Sequence, residues 1–262
     1  MKDLFGFIGR KYFNFLYDLT SIASLFRETL VQTAFVVADR KKRKQARVLH
    51  SVDEVGSFSI PLVLLVSSLL GIALTVVIAF NLEDLGMLNA IPGVLVVAVY
   101  RFLGPLLTGI IVAGRMGAAI TARIGTMKVT EEVLALEVMA INPVRFLVVH
   151  RFLGMVIALP ALTVLGSFTA VFASFLFCVS RFGMGPNIYI VGVLDVLTAT
   201  DVLSGAVKSI VYAVAVVMIS CYRGLIIEGS AEEVGRATMV TVVWSILSIV
   251  VLDTVLTTAF YG

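Results

Sequence analysis

Residues 57–80 read SFSIPLVLLVSSLLGIALTVVIAF, a run of 24 positions without a charged side chain. A helix needs about 20 predominantly apolar residues to cross the hydrocarbon core of a bilayer, so this run predicts a transmembrane helix. Four other apolar stretches approach or exceed that length, near 87–113, 146–180, 202–222 and 237–260. The sequence therefore predicts an all-α integral membrane protein with about five transmembrane helices.

The composition of the whole chain excludes a soluble globular protein. Hydrophobic residues make up 60% of the 262 positions and charged residues 14%, whereas soluble domains are about 45–50% apolar. Such a chain cannot cover a soluble globule with polar side chains. The stretch 146–180 is too long for one straight span, so we expect it to tilt or to extend beyond the bilayer, and Pro160 is a candidate kink.

The first 50 residues differ in character from the rest of the chain. Apolar residues between Phe5 and Phe26 recur at three- and four-residue spacing, which is typical of an amphipathic helix lying in the membrane interface. The basic run at 40–47 is either a solvated charge run or a segment attracted to anionic headgroups. We divide the chain into this N-terminal segment, 1–50, and a membrane domain, 51–262.

The lysines and arginines predict the orientation of the spans. Residues 1–56 contain ten of them, residues 115–151 five and residues 223–236 two, whereas the other two connections contain only Arg181. Cytoplasmic loops carry the excess of Lys and Arg, so the N-terminus is predicted to be cytoplasmic. With five spans, the C-terminus would then lie outside.

The connection 114–145, GRMGAAITARIGTMKVTEEVLALEVMAINPVR, is cytoplasmic by this rule, yet it is not loop-like. A stripe of small residues at four-residue spacing enters it from the second span, which allows another helix to approach backbone to backbone. The stripe consists of Gly109, Ala113, Gly117, Thr121 and Gly125.

The second half of this connection predicts a short amphipathic helix. Asn142-Pro143 is expected to end it, because the residue before a proline disfavours the helical region. The helix is either a docking surface for a soluble partner or a plain interfacial helix. Its predicted apolar face consists of Val129, Val133, Leu136 and Met139.

The block from Gly114 to Gly154, in which this connection continues with FLVVHRFLG, resembles the signature of the MlaE (YrbE) permease family. The resemblance covers roughly residues 50–262. Shorter matches follow in order along the other spans: Leu103-Gly104-Pro105, Lys208-Ser209, Gly235-Arg236-Ala237-Thr238 and Leu252-Asp253.

The resemblance implies a phospholipid permease, the inner-membrane subunit of maintenance-of-lipid-asymmetry or Mce-type ABC transporters. Members of that family form homodimers that enclose a phospholipid cavity under a ring of periplasmic MCE-domain proteins. Separate cytoplasmic ATPase subunits hydrolyse the ATP, so no cofactor is expected in this chain, and STAS-domain proteins join some systems. No nucleic-acid partner is expected.

The resemblance also assigns roles to residues. The cytoplasmic block would transmit the motion of the ATPase to the spans. The candidates for contact with the ATPase are Arg123, Lys128, Glu131, Glu132, Leu136, Glu137 and Met139.

The chain departs from the family pattern at three positions. Arg123 and Phe102 stand where the family usually has Glu, and Leu134 stands where it often has Asp. Any role of the carboxylate that Phe102 replaces cannot be transferred, and we expect a more apolar cavity.

Charged residues inside the spans are the candidates for the lipid cavity. Each of Arg101, Lys208 and Asp253 costs about 2.5–3.5 kcal/mol at mid-membrane, so each should face protein or water. Lys208 and Asp253 lie about six and seven residues, or ~9 and ~10 Å, from the same outer end, which predicts an ion pair. That pair is either purely structural or in contact with lipid.

Arg101 has no acidic neighbour in sequence. It is a candidate for contact with a lipid phosphate or, alternatively, a structural or snorkelling arginine. Phe102 completes the cavity candidates. Gly104-Pro105 is expected to break the second span just below Arg101.

Motifs for catalysis are missing from the sequence. It contains no G-x-x-x-x-G-K-[ST] and no G-x-S-x-G, and His50 and His150 lack the spacing of metal ligands. The chain is therefore predicted to be a non-catalytic subunit driven by a separate ATPase. Two rival hypotheses are an ion-coupled transporter or channel that uses the buried charges, and a membrane-embedded lipid enzyme.

Overall fold

A computed structural model describes residues 18, 20–34 and 42–262, without the side chains of residues 42–47 and 58. Residues 20–34 form a helix, α1, inside the predicted amphipathic segment. The part of that segment before residue 18 and the start of the basic run lie outside the described residues.

The described residues are helical apart from short connections and contain no strand. Two π-helical turns join the α-helices of the second span, and a third precedes the long helix of the third span; they are Val99–Leu103, Ala113–Gly117 and Val144–Val148. After α1 the elements are α2 (Lys42–Glu83), a 3-10 turn (Leu88–Ala90), α3 (Ile91–Ala98), α4 (Gly104–Val112), α5 (Ala118–Val129), α6 (Glu132–Val138), α7 (Val149–Phe182), α8 (Pro186–Leu194), α9 (Ala199–Leu225) and α10 (Ala231–Tyr261).

Five described segments are long and apolar enough to cross a bilayer, which confirms the predicted number of spans. The second continues to Val129 instead of ending near 113, so the first half of the supposed connection belongs to a membrane-spanning rod. In the third, α7 runs unbroken through Pro160. The segments are Val48–Glu83, Leu88–Val129, Val144–Phe182, Ala199–Leu225 and Ala231–Tyr261.

The first and third spans pack through small residues. A Cβ added at Gly154 would lie 2.8 Å from the Cβ of Ser51, and one added at Gly166 would lie 2.9 Å from the Ser67 hydroxyl. The residue numbers of the contacting positions increase in the same direction along both helices, so α2 and α7 run parallel. Larger side chains at these glycines would force the helices apart.

The small-residue stripe of the second span packs against α9 and α10, as its spacing predicts. A Cβ at Gly117 would lie 3.3 Å from the Ser220 hydroxyl, and one at Gly125 would collide with Ile227. Thr121 donates a hydrogen bond to the carbonyl of Ser220 at 3.0 Å. Close backbone contact of this kind is how membrane helices associate without a hydrophobic driving force.

The expected break at Gly104-Pro105 is wrong. The chain stays helical through both residues, because the π-helical turn Val99–Leu103 widens the rod where the proline removes a backbone donor. The N–H of Gly104 reaches back five residues to the carbonyl of Val99.

Helix α1 is tied to the membrane domain by polar and apolar contacts. Asp18, just before it, accepts a hydrogen bond from Tyr222 at 2.7 Å, and Ile22 and Phe26 pack against the main core cluster. The side chain of Asn142 donates to Glu28 at 3.0 Å. Helix α1 therefore contacts both the end of α9 and the segment that follows α6.

Candidate functional site

Lys208 of α9 and Asp253 of α10 form the predicted ion pair. Their Nζ and Oδ1 atoms lie 3.1 Å apart, and the two side chains are 0% and 3% exposed. Tyr212 adds a hydrogen bond to the same carboxylate oxygen at 2.6 Å. Spans four and five are thereby joined inside the protein, where an unpaired charge would be strongly unfavourable.

All three protons of the Lys208 ammonium group are used. Besides Asp253, the group donates to the hydroxyl of Thr257 at 2.7 Å and to the backbone carbonyl of Arg101 at 2.8 Å. A lysine ammonium has three donors and no acceptor. Lys208 could therefore contact a lipid only by giving up one of these bonds, and the arrangement favours the structural alternative.

Pro105 explains why Lys208 is bonded to a backbone carbonyl. In a regular helix the N–H of residue 105 would bond to the carbonyl of residue 101, but proline has no N–H. The freed carbonyl of Arg101 accepts from Lys208 instead. The carbonyl that Pro105 leaves without a donor thus forms a hydrogen bond with the buried ammonium group of Lys208.

Arg101 has an acidic partner that sequence reasoning missed. Its Nε lies 2.7 Å from Oδ1 of Asp201, in the first turn of α9. Asp201 also accepts from the backbone and the hydroxyl of Thr198, and the two residues form a capping box. The Thr-x-x-Asp spacing is visible in the sequence and marks the start of α9, although it does not reveal Arg101.

Tyr261, at the end of α10, is the other missed member of the cluster. Its ring centroid lies 4.9 Å from Cζ of Arg101, a cation–π distance. Its hydroxyl lies 2.6 Å from that of Ser204 and 3.3 Å from Asp201. The Arg101 side chain keeps 34% exposure between these groups, whereas Lys208 keeps none. Of the two cations in the cluster, only Arg101 has surface left for a ligand.

Phe102 lies next to the cluster and is 44% exposed. Its ring centroid lies 5.9 Å from Nζ of Lys208. The four predicted cavity residues therefore belong to one neighbourhood, formed by the second, fourth and fifth spans. In the described part of the chain, no group of three His, Cys, Asp or Glu residues is placed to hold a metal ion.

The predicted amphipathic helix of the connection 114–145 is divided in two. Glu131 adopts a left-handed conformation with φ 60°, which separates α5 from the seven-residue helix α6. Helix α6 ends at Val138, and Ala140 at φ 56° turns the chain before Asn142-Pro143 is reached. The predicted end point at Asn142 is therefore wrong by one turn.

Only part of the predicted apolar face is buried. Val133 and Leu136 are 2% and 8% exposed and pack against Leu147, but Met139 is 60% exposed. Met139 follows Val138, the last residue of α6, and does not belong to the predicted apolar face. Leu136, which is also a candidate for contact with the ATPase, is buried in this cluster.

The outer surface of α6 is apolar and acidic together. Leu134, Val138 and Met139 are 53%, 80% and 60% exposed. The other candidates for ATPase contact are all exposed: Arg123, Lys128, Glu131, Glu132 and Glu137.

Comparison with known proteins gives a family. Residues 48–259 match the profile described as "Permease MlaE". The chain belongs to the MlaE permease family. The match covers α6 and the charge cluster except for Tyr261.

Named proteins in the MlaE family agree with this assignment. A "Probable ABC transporter permease protein" of Rickettsia prowazekii is 33% identical over 207 residues, covering 79% of this chain and 80% of the relative. A protein of the same description from Synechocystis is 34% identical over 201 residues, covering 77% and 76%. "Protein TRIGALACTOSYLDIACYLGLYCEROL 1, chloroplastic" of Arabidopsis thaliana is 34% identical over 213 residues, covering 81% and 61%.

Arg123, one of the three departures from the MlaE pattern, has a partner in this chain. Its Nη1 lies 3.4 Å from Oε1 of Glu54, and the side chains are 61% and 41% exposed. A long, exposed pair of this kind contributes little to stability. It connects α5 with the N-terminal part of α2.

Proposed function

We propose that this chain is the membrane subunit of an ABC transporter that moves phospholipid between the inner membrane and a periplasmic MCE-protein carrier, driven by a separate ATPase subunit. The family and the relatives named as ABC transporter permeases support the transporter class. The Arabidopsis relative bears the name of a galactolipid, which supports a lipid substrate.

The observation that carries this proposal is the exposed surface of α6. Val138 and Met139 are 80% and 60% exposed on a helix that lies between two membrane spans and outside both. Apolar side chains outside the bilayer that are exposed to this extent mark a contact with another protein. The buried pair Val133 and Leu136 holds α6 against Leu147, so force applied to α6 passes to the third span.

The lipid would meet the protein at Arg101. Asp201 fixes one edge of its guanidinium group and the Tyr261 ring covers one face, so the remaining N–H groups are held in a defined direction. A guanidinium group binds phosphate through paired, charge-assisted hydrogen bonds. The exposed aromatic ring of Phe102 lies beside it and suits the glycerol and acyl part of the same lipid.

The proposal includes an orientation and an assembly. The N-terminus and α6 lie in the cytoplasm and the C-terminus in the periplasm, following the distribution of Lys and Arg. Two copies of the chain form the transporter, and STAS-domain proteins join it in some systems. Only 22% of the most apolar stretch of α10 is buried within one chain, so this helix has surface available for a second copy.

The test uses the full chain co-expressed with an ABC ATPase subunit of the same organism, purified in mild detergent and reconstituted with phospholipid. Val138→Asp places a charge at the most exposed apolar position of α6 and should abolish co-purification of the ATPase and ATP-dependent lipid transfer. Ile226→Asp is the matched control, because Ile226 is 44% exposed in the other cytoplasmic connection. It should leave both readouts unchanged.

Two outcomes would contradict the proposal. Equal loss in both variants would show that α6 is not a specific docking surface. Transport of an ion or solute by the purified chain alone, without any ATPase, would favour the ion-coupled transporter instead.

A further inference from the structure

A small cavity lies between α2, α5 and α7, away from the Arg101 cluster. Its polar lining comes from Ser51 and Glu54 of α2, Arg123 of α5 and Arg151 of α7, and the rest is apolar. The enclosed volume is about 20 Å³, room for one water-sized group. The charge cluster uses none of these residues, and only Arg123 is also a candidate for contact with the ATPase.

Arg151 is the unusual member of this cavity. Only 9% of it is exposed, and its Nη1 donates to the carbonyl of Leu147, one turn back in the same rod, at 2.6 Å. No carboxylate of the described residues lies within 4.0 Å of it. The absence of a side chain at Gly154 lets α2 approach at Ser51, which closes the space beside Arg151.

The cavity carries a net positive charge. Glu54 lies 3.4 Å from Arg123 at the mouth, where both are substantially exposed, and this leaves the buried Arg151 uncompensated. A buried charge is retained only when it is paired or hydrogen-bonded. The site therefore has one positive charge in excess. The Glu54 carboxylate at its entrance has only a long, solvent-accessible contact with Arg123.

The cavity lies at the level of lipid headgroups. The third span has 39 residues, about 58 Å of helix, so some 14 Å extends past each side of a ~30 Å hydrocarbon core when the span is centred. Arg151 lies about 10 Å from the start of that span, which places it roughly 4 Å outside the hydrocarbon. Arg123 in the second span reaches a similar level.

We propose that Arg151 and Arg123 form a phosphate-binding site that holds one oxygen of a phospholipid headgroup, with Glu54 as the competing internal anion. The site is additional to lipid contact at Arg101. Basic pockets between transmembrane helices on the cytoplasmic side bind anionic headgroups in this way. The assignment to the cytoplasmic leaflet rests on the orientation proposed above, whereas binding itself does not.

Binding is measured on the purified full chain in detergent, by native mass spectrometry with dioctanoyl phosphatidylglycerol as the probe. Glu54→Gln removes the competing carboxylate and should tighten binding about tenfold, while Arg123→Gln should weaken it about tenfold, the value of one charge-assisted hydrogen bond. The matched control is Arg145→Gln, an exposed arginine outside the cavity, which should leave binding unchanged. Glu54 is half-buried and Arg123 is exposed, so the test does not depend on a variant of the buried Arg151 that fails to fold.

Three results would overturn the proposal. Unchanged or weaker binding in Glu54→Gln would make Glu54 the counterion of Arg151. Equal binding of dioctanoylglycerol, which lacks the phosphate, would show a purely apolar site. Binding of inorganic phosphate without any binding of the lipid would assign the cavity to a free anion. Because no ATPase is present, none of these results depends on the transport function.

Discussion

Replacing Lys208 by methionine tests the central claim about the buried cluster. Met preserves most of the side-chain volume but leaves Asp253 as a buried carboxylate without its cation, although Tyr212 still donates to it. Breaking a buried pair by removing one partner costs about 3–5 kcal/mol. The carbonyl of Arg101 loses its donor as well, which adds about 1–3 kcal/mol for an unsatisfied buried acceptor.

The assay measures the free energy of unfolding in detergent by denaturant titration of the purified chain. Lys208→Met should lose at least about 3 kcal/mol, and the exposed control Lys128→Met should stay within about 0.5 kcal/mol of the parent. A loss below about 1 kcal/mol in Lys208→Met would refute the claim that this pair holds spans four and five together.

A charge swap separates the two contributions of Lys208. In Lys208→Asp with Asp253→Lys the ion pair is restored, but a carboxylate now faces the Arg101 carbonyl that Pro105 leaves without a partner. We therefore expect the swap to recover less than half of the lost stability. Full recovery would show that the carbonyl contact contributes nothing.

Three further predictions concern other parts of the molecule. Asp201→Asn removes the charge opposite Arg101, and lipid transfer in proteoliposomes should fall about tenfold with unchanged helix content. Gly125→Val should reduce stability by about 1–3 kcal/mol through overpacking, whereas Gly114→Ala, where a Cβ meets nothing within 4 Å, should not; thermal unfolding checks both. Burial raises the pKa of Tyr189 from 10.0 to about 12. The neutral phenol therefore stabilises the folded protein below pH 10.0, and this contribution is lost as the pH rises towards 12. The loss of stability at alkaline pH should be less steep in Tyr189→Phe.

The features that were predicted from the sequence depend on composition and on regular helical spacing. The five spans follow from apolar length, and the packing of Gly117 and Gly125 against other helices follows from their four-residue repeat. The pairing of Lys208 with Asp253 could be predicted because each span sets the depth of its own charge. These properties can be predicted without knowledge of the tertiary structure.

The features that were missed depend on single backbone conformations and on contacts between distant residues. A left-handed Glu131 has no sequence signal, yet it separates α5 from α6, and the end of α6 at Val138 leaves Met139 outside the helix and exposed. The capping box of Asp201 is legible, but its pairing with Arg101 is a contact across 100 positions of the chain. Pro105 predicts a carbonyl in the second span that lacks its helical donor, and only the folded structure shows which group donates to it.

The pairing of charges in the cluster has an electrical consequence. Arg101 and Lys208 are matched by Asp201 and Asp253, so the four formal charges sum to zero. A charge carried across the membrane exchanges about 2.3 kcal/mol with each 100 mV of membrane potential, but a neutral group moved as a unit exchanges almost none. Movement of the two ion pairs as one unit is therefore electrically silent, and the membrane potential neither drives nor opposes it.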